Sequence, residues 1–291
     1  MRFLPLFLLL ALTAVGCGGG SPAPRPEKLA VFAAGRRIGT VTPSNAARLR
    51  LPKRLHVRDG RARVVVDVPA ARSRRAIRRA LADGRSRLDL RTRPVSSSIA
   101  VRPIRQVLHN DCEATALSMI LAAARHPAGQ LALQAQLPQS GPLDPVAVPG
   151  SSLFRWGDPE RGFVGRADGG GTEGGFGVYE PPIRALAARH GVRLVDLRHR
   201  SVGAVRAALL AGHPVLAWVG LADGPYLSWL TPGGREITVN LNEHAVALVG
   251  AGPGYVLVDN PLTGVRERWS ESLFNYRWQL LGRRALELPR S

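Results

Sequence analysis

The sequence is poor in cysteine, lysine, aromatic residues and acidic charge. Cys17 and Cys112 are the only cysteines in 291 residues. That number excludes a disulfide-dense scaffold and, by itself, a four-cysteine zinc site. Lys28 and Lys53 are the only lysines, so 38 of the 40 basic residues are arginine. Beside abundant alanine, glycine and proline, such a bias can reflect genome composition and is not alone a sign of a binding partner. Aromatic residues make up 5% of the chain, and none interleaves with the arginines of the first third as base stacking requires, so nucleic acid is not an expected partner. Past the N-terminus no stretch reaches the ~20 apolar residues that span a bilayer. There is no His-x-x-x-His and no paired-carboxylate spacing, so neither a metal nor a cofactor is expected. Asp168–Gly171 runs into Thr172-Glu173-Gly174-Gly175 with no lysine and no preceding strand, so it is not a phosphate loop. A flexible flap beside a cleft is the simpler reading.

What the chain does have is 45% hydrophobic residues, enough to bury a sizeable core, and a formal net charge of +19. That charge is uneven. Residues 18–100 hold 20 basic and 5 acidic residues, whereas 101–291 hold 19 and 16. The asymmetry points to two modules.

Met1-Arg2, the apolar stretch Phe3–Val15 and the small residues up to Gly16 read as a signal peptide, residues 1–16, too short to be a spanning helix. Cys17 after small residues resembles a bacterial lipobox, with Ala14 standing where Leu is usual. The resemblance implies lipidation at Cys17, a flexible tether over 17–26, and a protein anchored in the outer leaflet of the cell membrane or secreted. Residues 27–98 form a small basic module. Leu29–Phe32 and Arg37–Val41 predict a hairpin around Ala34-Gly35, Arg63–Val68 a buried strand, Ala71–Leu81 a helix, and Arg87–Arg91 a strand. This order resembles the tail of wall-associated modules found beside L,D-transpeptidases and vancomycin-resistance-type proteins. Arg72, Arg74, Arg75, Arg78 and Arg79 share one helix side. That side is either a solvated face or a surface for anionic lipid or wall polymer.

Residues 99–291 carry the candidate chemistry. From Glu113 the chain is strongly helical, with Ala116, Leu117, Ile120 and Leu121 on one side and Asn110 or Asp111 as N-cap. Cys112 falls in the first turn, where free N–H groups and the helix dipole favour a thiolate, the nucleophilic form. Gln106 lies six residues upstream. Its amide and the Cys112 N–H together could form an oxyanion hole. Downstream, Ala245–Val249 and Tyr255–Val258 predict a hairpin. A five-residue loop sets His244 opposite Asn260, and a four-residue loop sets it opposite Asp259. Either side chain can orient an imidazole base.

Gln106 followed by Cys112 at the head of an apolar helix resembles papain-like peptidases. Asn110-Asp111-Cys112-Glu113-Ala114-Thr115-Ala116-Leu117 is similar to the bacteriocin-leader-processing peptidases, above all to their stand-alone secreted relatives. So are Gly157-Asp158-Pro159, Gly175-Phe176-Gly177-Val178-Tyr179-Glu180-Pro181-Pro182, Gly212-His213-Pro214-Val215 and Glu243-His244-Ala245-Val246. The resemblance runs from about Arg102 to Arg268. It implies a papain-like α+β fold and a cysteine peptidase in which Cys112 is the nucleophile, His244 the base and Gln106 the oxyanion donor. The family usually has Asp immediately before Pro; here Asn260 precedes Pro261 and Asp259 sits one place early, so alignment leans slightly to Asn260 as orienting residue and Asp259 is a near-equal choice. Asp111, Gly175, Gly177 and Tyr179 would bind a peptide or protein substrate. A monomer is expected. Two other readings stay open: a peptide-binding lipoprotein that has lost turnover, and acyl transfer to an amine.

Overall fold

The computed structural model describes residues 26–169 and 174–289. The expected signal peptide, Cys17 and all of the tether but Pro26 lie outside the described residues, as does the centre of the expected flap.

The first module builds a small α+β layer. Strands Leu29–Ala33 and Arg36–Val41 form the expected hairpin, with Ala34 and Gly35 both at positive φ, as a tight two-residue turn needs. Arg87–Leu90 adds to Leu29–Ala33 in parallel. Helix Ala70–Ala82 closes over this sheet and buries Ile77 and Ala80 against Leu29, Val31 and Leu90. Its arginines face outward and are exposed.

Two strands of this region were not expected, Arg54–Asp59 and Arg93–Ile99. They flank strand Ala62–Asp67, and the three join a nine-stranded, wholly antiparallel sheet. The long strand Glu243–Gly252 is its spine. The first half of one edge pairs with Val215–Gly220, and Ala251 and Gly250 farther along pair with Ser97 and Ser98. The anticipated division at residue 98/99 therefore falls inside a strand, and the sheet runs across it. Gly250 is required there, because a Cβ would collide with the Ser97 carbonyl oxygen.

Alternation along the spine separates two cores. Ala245, Ala247 and Val249 pack toward helix Cys112–Ala123. Val246, Leu248 and Ala251 pack the other way, beneath helices Val202–Leu210 and Glu271–Gln279. Helix Cys112–Ala123 is buried from Cys112 to Leu121, not on one side only. Its polar members are bonded inside: Thr115 Oγ1 donates to Gln130 Oε1 at 2.5 Å, and Ser118 Oγ to the Ala128 carbonyl at 2.6 Å. A helix enclosed on all faces is fixed in rotation and height. That fixity places its first residue at the cleft.

Candidate active site

Asp111 caps the helix without a side-chain capping bond. Its Oδ1 accepts from the Leu108 N–H at 3.1 Å instead. Cys112 is next, 5% exposed, with its sulfur accepting from the Ala245 N–H at 3.4 Å. The nucleophile candidate therefore rests against the strand at the residue after His244. Both side chains line one cavity of about 170 Å³, with Gln106, Gly175, Phe176 and Glu243 among its walls. A larger groove of about 740 Å³, lined by Arg61, His126, Arg193 and His213, contains none of these residues.

On the strand side of the cleft a chain of hydrogen bonds sets the imidazole. His244 Nε2 meets Asn260 Oδ1 at 2.8 Å. Asn260 Nδ2 donates to Glu267 Oε1 at 2.8 Å, and Glu267 also accepts from Thr263 Oγ1 and Trp269 Nε1. Because Asn260 gives its N–H to a carboxylate, its oxygen must face the imidazole. His244 therefore carries its proton on Nε2 and keeps Nδ1 as the basic nitrogen. Burial holds this imidazole down to about 4, so it is neutral at pH 7.

Asn260 is thus the residue that touches His244, and Asp259 is not. Asp259 is fully buried and forms two bonds of 2.6 and 2.8 Å with the Arg266 guanidinium. The register also differs from both expectations. The turn is Pro253-Gly254 alone, Gly250 and Gly252 are in the strands, and Ala247 stands opposite Asp259 with a bulge beyond Leu248. Asn260 reaches His244 diagonally, by its side chain.

The helix side departs from expectation in two respects. Gln106 lines the cleft, but its amide donates to the Leu108 and His109 carbonyls at 3.0 and 2.8 Å, leaving a buried Oε1 without a partner. Its donors do not point at an oxyanion position. Nor is the Cys112 thiol activated by the helix dipole. Burial, together with Glu113 and Glu243, pushes it well above its ordinary value. Glu113 Oε1 accepts from the Val178 N–H at 2.6 Å, and its Oε2 accepts from the Cys112 S–H at 3.3 Å. Burial raises Glu113 to about 7 and raises Glu243 too. Cys112 Sγ and one oxygen of each carboxylate lie within 4.8 Å of one another, a donor set within reach of a single divalent cation. No short-range spacing in the sequence reveals this trio, since Glu243 comes from a distant strand.

Of the four expected substrate-binding residues, Gly175 lines the cavity. The other three do not. Asp111 is fully buried beneath the helix start. Gly177, at φ +129, packs on the acids: a Cβ there would run into Glu113 Oε1 and lie 3.3 Å from Glu243 Oε2. Tyr179 is stacked beneath Arg284 at 3.7 Å and edge-on to Phe176. Phe176, Leu221, Leu241, Glu243 and Leu262 line the cleft without having been singled out. Phe176 also contacts Trp229 at 5.6 Å between ring centres, and Trp229 contacts Trp156 and Phe154. Much of the chain's small aromatic complement thus stands behind this wall.

The model of the Peptidase_C39 like family matches residues 98–286. The protein YvpB of Bacillus subtilis strain 168, itself uncharacterised, is 31% identical over 190 residues, covering 63% of this chain and 70% of its own. A crystal structure from Bacillus anthracis, described as a C39-like peptidase, superposes with a TM-score of 0.57 at 25% identity, over 66% of this chain and 96% of that one. The α+β architecture, a cysteine-headed helix on an antiparallel sheet, is papain-like. With a match spanning well over half its length, the chain belongs to the peptidase C39-like family.

Proposed function

We propose that the protein is a cysteine peptidase that hydrolyses peptide bonds through Cys112, His244 and Asn260. One observation carries this reading: the His244–Asn260–Glu267 chain fixes a neutral imidazole with a free Nδ1 in the cavity that also exposes Cys112. His244 Nδ1 takes the Cys112 proton as sulfur bonds to the scissile carbonyl carbon. The oxyanion forms beside the Cys112 N–H, in the first helical turn where amides have no intrahelical partner. Collapse breaks the C–N bond, with His244 returning the proton to the leaving amine. Water then cleaves the thioester and restores the thiol. Incubating the mature chain with a diverse peptide library, read by mass spectrometry, tests this. Cleavage is expected from the wild type and not from Cys112→Ala, and cleavage surviving that change would reject the assignment.

A second reading, a peptide-binding protein without turnover, has specific support. The thiol is bonded to a carboxylate, and the Gln106 donors are committed elsewhere. Reaction of Cys112 with a thiol-directed peptidase probe at neutral pH separates the two. We also propose that Cys17 carries a lipid anchor and that the exposed arginines of helix Ala70–Ala82 face an anionic surface. Binding to vesicles with and without anionic lipid, before and after replacement of those arginines, checks the second part.

A further inference from the structure

Two carboxylates flank the nucleophile, and the reaction above uses neither. Glu113 is fully buried, and the buried Oε1 of Glu243 has no hydrogen-bond partner. Among the described residues neither carboxylate has an ion-pair partner. The nearby cation, Arg284, is committed to Glu180 at 2.6 Å and Glu160 at 2.7 Å, and lies over the Tyr179 ring. Asp111 adds a further acid from the helix start and Tyr179 a neutral phenol, while His244 is turned to Asn260. Buried carboxylates are ordinarily paired. Here neither has a cation beside it, and Glu243 Oε1 has no hydrogen-bond partner, which leaves the cleft with an unmet demand for positive charge. Glu243 faces that cleft beside Cys112 and His244.

We propose that Glu243, backed by Glu113, is the specificity-determining group of the cleft and receives a primary ammonium of the substrate next to the scissile carbonyl. The inference rests on the peptidase reading and deepens it. In a productive pose the carbonyl carbon stands about 3–3.5 Å from the sulfur. An amino group on the same residue then falls among the sulfur's neighbours, where both carboxylates lie. The ammonium does more than anchor. It offsets the two negative groups that oppose thiolate formation, so the nucleophile is released by the substrate that fits. Discrimination should therefore appear in kcat as well as KM. The ammonium has two possible sources, a free chain terminus or a lysine-type side chain.

The test separates these sources and does not depend on turnover. Alkylation of Cys112 by iodoacetamide is followed at about pH 6.5, where an α-amino group is protonated. Three additives are compared: glycinamide, Nα-acetyl-lysinamide and N-acetylglycinamide. One of the two amines is expected to accelerate alkylation about tenfold, the equivalent of one pKa unit, and the uncharged amide to have no effect. Glu243→Gln should abolish the acceleration and raise the basal alkylation rate, while Glu243→Asp keeps the acceleration. Acceleration by neither amine, or acceleration that persists in Glu243→Gln, overturns the proposal. In parallel, peptides differing only in a free or acetylated terminus, or in lysine against norleucine, are offered to the wild type. Equal cleavage of all of them overturns the specificity while leaving the peptidase intact. Amine-dependent alkylation without any cleavage leaves the site standing and removes the peptidase.

Discussion

The two walls of the cleft are built on opposite plans. Behind the base an unbroken chain of hydrogen bonds sets the imidazole: His244 on Asn260, Asn260 on Glu267, Glu267 on Thr263 and Trp269. Around the nucleophile the thiol donates to Glu113, while Gln106 Oε1 and the Oε1 of Glu243, which comes from the strand of His244, are buried and unpartnered. One wall is finished in the free protein. The other holds its nucleophile in a resting form. A site with a complete base and an incomplete nucleophile is one in which the ligand finishes the assembly.

Four substitutions would break or sharpen that contrast. His244→Ala should cut turnover most, by roughly 10²–10⁴-fold, the usual contribution of a positioned acid–base group. The wild-type rate should fall as pH drops through about 4, because the protonated imidazole cannot accept the Cys112 proton. An acid limb near 6.5 would mean that burial does not govern the base. Asp259→Ala leaves the Arg266 guanidinium partly buried and unpaired, and should lower unfolding stability by about 3–5 kcal/mol in denaturant titration. That acid limb should stay where it is, since Asp259 does not touch His244. Asn260→Ala should reduce kcat by about 100-fold through loss of the fixed tautomer, with KM nearly unchanged. Gln106→Ala should have the smallest effect, below about tenfold, where a direct oxyanion donor is worth about 10²–10³. A hundredfold loss would show that the Gln106 amide turns into the cleft when substrate binds.

Much of the finished wall was legible in the chain. An apolar strand led by histidine, a return strand and a nearby carboxamide were sufficient to bring His244 and Asn260 together. The register was not legible, because Gly250 and Gly252 read as loop residues when both lie in the strand, Gly250 admitting the backbone of Ser97. The start of the Cys112 helix was equally plain, but its electrostatics were not. The dipole argument considers one helix, whereas burial, then Glu113 and then Glu243 from a distant strand push the thiol up. Strand Arg54–Asp59 does alternate, Leu55 and Val57 between Arg54, His56 and Arg58, but with only two apolar residues, and in Arg93–Ile99 Pro94 and the serines at 96–98 mask the pattern. Their partners supply the ordering that their own composition does not.

The seam at Ser97 and Ser98 has a consequence for the life of the protein outside the cleft. Ser97 and Ser98 cover the edge of the spine at Ala251 and Gly250, and Ser97 Oγ both donates to the Leu209 carbonyl at 2.5 Å and accepts from the Ala251 N–H at 3.3 Å. Were the chain shortened to begin past Ile99, that edge would present unpaired N–H and C=O groups along a strand buried on both faces. Such an edge recruits strands from other molecules. The end of the arginine-rich first third thereby covers an edge that the chemistry-bearing sheet would otherwise leave open.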